Sequence, residues 1–140
     1  MQFYIVQGRT FHDSIIDKNE KRINSMLARH YVINDTLYKS LWNALKDAAN
    51  NKDRELYLTL NDSIDTIAKT YTNFESYTIP EAHREVYRTI GGTPHLDQNY
   101  TVFGEVIDGL NIVDSIAANK VDQNNRPIND IRIVSIHLKN

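Results

Sequence analysis

The sequence predicts an α+β protein, in which strand-like segments precede and follow a long helical stretch. Residues 2–6 are aromatic and β-branched, which predicts a strand that stops at Gly8. Residues from about 11 to 90 repeat apolar side chains at the helical period, whereas residues 100–138 return to strand, helix, loop and strand. These changes of period predict a strand-containing domain that carries an all-α insertion of about four helices.

Length and composition fit one ordinary domain, or a small domain with an insert. The chain has 140 residues, of which 41% are apolar and 24% charged, and a net charge of −2. Lysine and arginine form no basic stripe, so nucleic acid is not a predicted partner. The absence of cysteine excludes disulfides and thiolate chemistry. No apolar run reaches the roughly 18–20 residues that span a bilayer, and no cofactor, metal or compartment is predicted.

The helical stretch divides into four predicted helices. Each has one apolar stripe and one charged face, so each must bury its stripe against a neighbour. A small bundle packed on itself satisfies this requirement, and so does a surface that binds a partner. The predicted helices cover 13–30, a segment capped by Asp35 or Thr36 that runs to about Ala49, 56–71, and a segment from Pro80 that Gly91-Gly92 ends.

The C-terminal region alternates between extended and helical patterns. Residues 100–107 alternate in the manner of a half-buried strand, and Asp108-Gly109 makes a turn into a helix over 110–119. Residues 120–130 are rich in Asn and Asp and predict a loop. A final strand is predicted over 131–138.

Gln2 and Tyr4 form the first candidate binding pair. Residues two apart in a strand share a face, so the amide of Gln2 and the ring of Tyr4 point the same way. A ring can contact the pyrrolidine of proline while an amide holds the peptide backbone beside it. The same spacing is also common on ordinary strand surfaces, so spacing alone leaves the function open.

Three motifs resemble the cyclophilin-type peptidyl-prolyl isomerases. That family has a Ser-Gln-Phe-Phe-Ile-like strand, a Leu-Asp-Gly loop and a Val-Phe-Gly-x-Val strand. The matching residues here are Gln2-Phe3-Tyr4-Ile5, Leu96-Asp97 and Val102-Phe103-Gly104-Glu105-Val106. Residues 109–116 and 126–133 resemble the family's helix and its final loop and strand.

The resemblance implies a specific architecture. Residues 1–8 and 91–140 would form the C-terminal part of a cyclophilin-like antiparallel β-barrel, and residues 9–90 would be a helical insertion. Some bacterial cyclophilins have a shorter helical insertion that ends in a segment similar to Gly91–Asp97. Gln98 replaces the glycine that usually follows Leu-Asp.

The resemblance also implies a function in protein folding. Cyclophilins are rotamases that bind X-Pro segments of polypeptides and isomerise the peptide bond before proline. Carried over by position, Gln2 would hold the substrate backbone, and the other residues would line the proline pocket. The implied substrate-binding residues are Gln2, Tyr4, His95, Leu96 and Tyr100.

No catalytic residue is assigned. The family's catalytic arginine belongs to the first half of the fold, which the resemblance does not cover, and Arg9, Arg84 and Arg88 match no catalytic motif. We therefore expect this chain alone to be weakly active or inactive. The alternatives are a non-catalytic protein-binding module built on the helices, or a truncated gene product. An incomplete barrel exposes strand edges, which predicts marginal stability, self-association through those edges, or coverage of the gap by the insert helices.

Overall fold

The computed structural model describes residues 3–137, which form two units. The helical unit comprises Arg9–Tyr100. The terminal unit comprises residues 3–8 together with the described residues from Thr101 onward. Gln2 lies outside the described residues. The predicted division into a partial barrel over 1–8 and 91–140 and an insertion over 9–90 stays a prediction.

The helical unit contains the four helices predicted between residues 13 and 90. Two aspartates act as N-caps in this unit: Asp53 starts the third helix and accepts a hydrogen bond from the N–H of Leu56 at 3.1 Å, and Asp35 accepts one from the N–H of Leu37 at 2.9 Å. The Asp35 cap starts a 3₁₀ turn over Thr36–Tyr38 that leads into the second helix. The helices are α1 (Asp13–Asn34), α2 (Lys39–Asn50), α3 (Arg54–Thr70) and α4 (Glu81–Thr89), and a further 3₁₀ turn covers Pro94–Leu96.

The core of this unit lies between α1, α2 and α3. Val32, Leu45 and Ile64 contribute one buried side chain from each of these helices. A second buried group lies along α1, where Ile16 and Ile23 are almost completely inaccessible to solvent. The apolar stripes therefore pack against one another, as the bundle interpretation predicts. The shell around the core consists of Ile33, Tyr38, Leu41, Trp42, Leu60, Ile67, Ala68 and Tyr71.

Ile64→Val should destabilise the helical unit by about 1 kcal/mol, because it removes one buried methylene and leaves a cavity that the neighbouring side chains do not fill. Ile90→Val is the matched control, since Ile90 is 78% exposed, and it should change the free energy of unfolding by less than about 0.5 kcal/mol. Urea denaturation followed by circular dichroism measures both. Equal effects of the two substitutions would contradict the assignment of Ile64 to the core.

The terminal unit contains one helix, α5 (Leu110–Ala117), within its described residues. Gln7 connects the two ends of the unit, because its Nε2 donates to Oδ1 of Asp114 at 2.8 Å. The rings of Phe3 and Phe103 meet edge to face, with their centroids 6.1 Å apart. These contacts hold residues 3–8 to the C-terminal region without a sheet.

The predicted strands over 2–6, 100–107 and 131–138 are wrong for the residues that the structure describes. Residues 3–137 contain five α-helices and no strand, and their only β-type pairings are the isolated bridges Arg9–Gly92 and Val121–Pro127. The α+β class, with part of an antiparallel barrel, is therefore corrected to an all-helical fold. Residues 2 and 138 lie outside the described range.

The physical reason lies in where the backbone hydrogen bonds are made. A helix closes its bonds within one segment, but a strand exists only through a ladder with a neighbouring segment. The alternating segments do not pair with one another, and their apolar side chains stay in solvent: Ile107 is 91% exposed and Val134 96% exposed. The predicted self-association through strand edges loses its basis, since residues 3–137 present no such edge.

No helix in this range combines the length and apolar character needed to cross a membrane.

Candidate functional site

The exit segment, residues 91–97, leads out of α4 and carries two of the predicted binding residues. It begins where Gly91 adopts φ +110°, close against the backbone of Arg9. A Cβ at position 91 would lie 2.7–2.9 Å from the backbone atoms of Arg9. The N–H of Gly92 donates to the carbonyl of Arg9 at 3.1 Å, so the segment is attached to the start of the unit.

The second glycine lies against the ring of Tyr87. A Cβ at position 92 would approach two ring atoms of Tyr87 to 2.7 Å. The carbonyl of Tyr87 also accepts a hydrogen bond from the N–H of Phe11 at 2.9 Å. Contacts at its backbone and along its ring therefore fix the position of Tyr87.

A 3₁₀ turn over Pro94–Leu96 presents the candidate binding residues. Pro94 is buried, and the turn packs on α1. The N–H of Leu96 donates to Thr93 at 2.9 Å, and the N–H of Asn99 donates to Leu96 at 3.0 Å. This arrangement fixes the backbone of His95 and Leu96 and leaves both side chains half-buried.

Asp97 ends the exit segment and accepts hydrogen bonds from two tyrosines of the helical unit. The hydroxyl of Tyr87 donates to Oδ1 at 2.6 Å, and that of Tyr77 donates to Oδ2 at 3.3 Å. Burial, followed by the hydrogen bond to Asp97, raises the pKa of Tyr87. Burial and the negative charge of Asp97 raise the pKa of Tyr77. Both hydroxyls are therefore protonated donors at neutral pH.

The loop that carries Tyr77 is fastened to α1. Asn24 forms two hydrogen bonds with the backbone of Tyr77, donating to its carbonyl and accepting from its N–H, each at 2.8 Å. Glu20 accepts from the N–H of Ile79 at 2.8 Å. Arg84 donates to Glu20 at 2.9 Å and to Asp17 at 2.7 Å, and these bonds raise its pKa. Arg84 lies on α4 and also donates to the carbonyl of Ile79 at 3.3 Å, so polar contacts from α1 and α4 set the position of the loop.

The predicted binding residues divide between the two units. His95 and Leu96 are neighbours in the 3₁₀ turn, and Tyr100 is exposed at the end of the helical unit. Tyr4 is exposed in the terminal unit, and Gln2 lies outside the described residues. The substrate-binding role of these five residues stays a prediction.

Sequence analysis missed the role of three residues. Asp97 belongs to the Leu-Asp motif but received no role, and neither Tyr77 nor Tyr87 was singled out. Tyrosines that lie 10 and 20 residues before a Leu-Asp motif are only a weak signal for this contact, because the contact depends on tertiary packing. Among residues 3–137 no group of three or more His, Asp or Glu side chains is placed to hold a metal ion.

A family model described as "Cyclophilin type peptidyl-prolyl cis-trans isomerase/CLD" matches residues 47–138. The match covers more than half of the chain and runs through α3, α4, the exit segment and the C-terminal region. The chain therefore belongs to the cyclophilin-type peptidyl-prolyl cis-trans isomerase family, and the family prediction is confirmed.

The chain is also similar to staphylococcal proteins whose names refer to peptidyl-prolyl cis-trans isomerase. A protein of Staphylococcus saprophyticus subsp. saprophyticus is 44% identical over 59 residues, which cover 42% of this chain and 30% of that protein. Proteins of Staphylococcus aureus strains USA300 and COL are 42% identical over 60 residues, covering 43% of this chain and 30% of each relative. The chain thus spans 30% of the length of these curated relatives. No solved structure matches it.

Proposed function

We propose that this chain is a substrate-binding part of a prolyl isomerase, which binds X-Pro segments of polypeptides and has little isomerase activity by itself. The observation that carries the proposal is that the family match includes the exit segment, which is firmly held on the helical unit. His95, Leu96 and Tyr100 bind the proline segment in this proposal. Gln2 and Tyr4 keep the roles that the resemblance implies.

The chemistry of the turn suits a proline ring. The Leu96 side chain offers an apolar surface, and the imidazole of His95 offers a flat face on which a pyrrolidine can lie. Both side chains are half-buried, so their rotamers are restricted before the peptide arrives and less entropy is lost on binding. Such a surface binds planar and twisted prolyl bonds about equally, which gives affinity without much rate enhancement.

Peptide binding can be mapped by NMR on the isotope-labelled chain. A proline tetrapeptide should shift the resonances of His95, Leu96 and Tyr100, and the same peptide with alanine in place of proline should not. Leu96→Ala should weaken binding about tenfold, because it removes most of the apolar contact with the ring. Leu37→Ala is the matched control, since Leu37 is exposed in the 3₁₀ turn over Thr36–Tyr38, outside the exit segment, and should leave the affinity unchanged.

Two results would contradict this proposal. One is an absence of shifts in the exit segment at peptide concentrations that shift other residues. The other is an equal loss of affinity in Leu96→Ala and Leu37→Ala. An absence of shifts anywhere in the chain would favour a truncated gene product.

A second candidate is a non-catalytic protein-binding module, which a row of aromatic rings in the helical unit favours. Tyr31 and Phe74 stack with centroids 5.8 Å apart, Phe74 and Tyr71 at 6.5 Å, and Tyr71 meets Tyr38 edge to face at 6.4 Å. Rows of aromatic rings dock proline-rich segments in several unrelated domains. Shifts confined to these four residues in the same titration would support this candidate over the first.

A further inference from the structure

Asp97 links the candidate binding turn to the predicted helical insertion. It follows Leu96 directly, and each of its carboxylate oxygens accepts one tyrosine hydroxyl, from Tyr87 at 2.6 Å and from Tyr77 at 3.3 Å. Both donors belong to the part of the chain that was predicted to be an insertion, 10 and 20 residues before Asp97. Hydrogen bonds to a charged acceptor are stronger than those between neutral groups.

Both tyrosines are themselves fixed by contacts other than the one to Asp97. Asn24 of α1 holds the backbone of Tyr77 through two hydrogen bonds of 2.8 Å. The ring of Tyr87 lies against Gly92 so closely that no Cβ would fit there, and its carbonyl accepts from Phe11. A hydroxyl that is fixed in this way restricts where the Asp97 carboxylate can lie. A mobile tyrosine would instead move with the carboxylate and would not restrict it.

From these contacts we propose that Tyr87 and Tyr77 are positioning residues, which orient the turn over His95 and Leu96 through the carboxylate of Asp97. This inference rests on the proposed function for its link to substrate. In this proposal the helices do not contact the peptide. Their role in binding is to set the geometry of the turn that does.

The effect on the turn can be measured without any ligand. Tyr87→Phe keeps the ring against Gly92 and removes only the hydroxyl, so the fold of the helical unit should persist. Amide hydrogen exchange at Leu96 and Asn99 should become about tenfold faster, because their hydrogen bonds close the turn that Asp97 anchors. The amides of Leu45 and Ile64 should exchange at the wild-type rate.

The effect on binding is measured with the proline tetrapeptide. Tyr87→Phe should weaken binding about tenfold and Tyr77→Phe about threefold, since the second bond is longer. Asp97→Asn keeps an oxygen that accepts from one tyrosine but loses the second acceptor, and should fall between wild type and Asp97→Ala. Tyr57→Phe, the same change at an exposed position of α3, is the matched control and should alter neither measurement.

The outcomes separate this inference from the proposed function. Unchanged exchange at Leu96 and Asn99 in Tyr87→Phe would overturn it, and so would faster exchange throughout α1–α3, which would make Tyr87 a general determinant of the fold. Faster exchange in the turn with unchanged peptide affinity would also overturn it. If the wild-type chain binds no peptide, the proposed function fails, and the exchange rates alone decide whether the tyrosines position the turn.

Discussion

Residues 1–140 alone should accelerate prolyl isomerisation at less than about one hundredth of the rate of a fusion that adds the arginine-bearing half of a cyclophilin domain. The prolyl bond rotates over a barrier of about 18–20 kcal/mol, and catalysis requires groups that bind the twisted bond more tightly than the planar one. In this family an arginine supplies that differential hydrogen bond. Loss of one such donor typically lowers the rate by about 10²–10³-fold.

The arginines close to the exit segment in the sequence are already engaged in other contacts. Arg84 donates to Asp17 and Glu20, at 2.7 and 2.9 Å. Arg88 donates to Asp13 at 2.8 Å and to Glu85 at 3.1 Å, and it pairs with Glu81 as well. A guanidinium that is held by two or three carboxylates would have to give up those bonds before it could stabilise a transition state.

A coupled isomerase assay on a proline tetrapeptide tests this expectation. The reference protein is a fusion of this chain to the first half of a cyclophilin domain, the part of the family's fold that carries the arginine. A further fusion with that arginine replaced by alanine controls for improved folding. Substantial activity in residues 1–140 that Tyr4→Ala abolishes would show that this chain supplies the catalytic groups itself.

Gly91→Ala should destabilise the helical unit by about 4 kcal/mol. A Cβ at this position meets three backbone atoms of Arg9 at 2.7–2.9 Å, and backbone atoms cannot move aside as a flexible side chain can. The φ of +110° adds strain, because L-residues other than glycine rarely adopt it. Overpacking and backbone strain each cost about 1–3 kcal/mol, and here they act together.

Gly104→Ala is the matched control for this substitution. No heavy atom lies within 4 Å of a Cβ built at Gly104, so the change should alter stability by less than about 0.5 kcal/mol. Urea denaturation followed by the circular dichroism of the helices compares both variants with wild type. If Gly91→Ala unfolds at the wild-type urea concentration, the close approach of Gly91 to Arg9 is incorrect.

The helices were predictable because their determinants are local in sequence. The apolar period around Ile16 and Ile23, or around Leu60, Ile64 and Ile67, identifies a helix face without knowledge of what covers it. The strand predictions failed because a strand is not determined locally. Alternation at 100–107 or 131–138 shows that a segment suits a sheet, but a ladder also requires a partner segment, and alternation carries no information about that partner.

The same distinction between local and tertiary determinants applies to the candidate site. His95 and Leu96 could be proposed from the motif that contains them, because the resemblance is a property of contiguous residues. The contact of Asp97 with Tyr77 and Tyr87 could not, since it depends on how α4 and the preceding loop pack on α1. The tyrosines look like ordinary members of apolar or loop segments until the packing places their hydroxyls at one carboxylate.

Trp42 provides an optical probe of one unit alone. It is the only tryptophan of the chain and packs against the core of the helical unit, with the Nζ of Lys46 5.9 Å from its ring. Emission excited selectively in the indole will therefore follow the solvent exposure of that core. The terminal unit contains no tryptophan and contributes no such emission. A thermal melt followed by indole fluorescence therefore reports the unfolding of the helical core, without a tryptophan signal from the terminal unit.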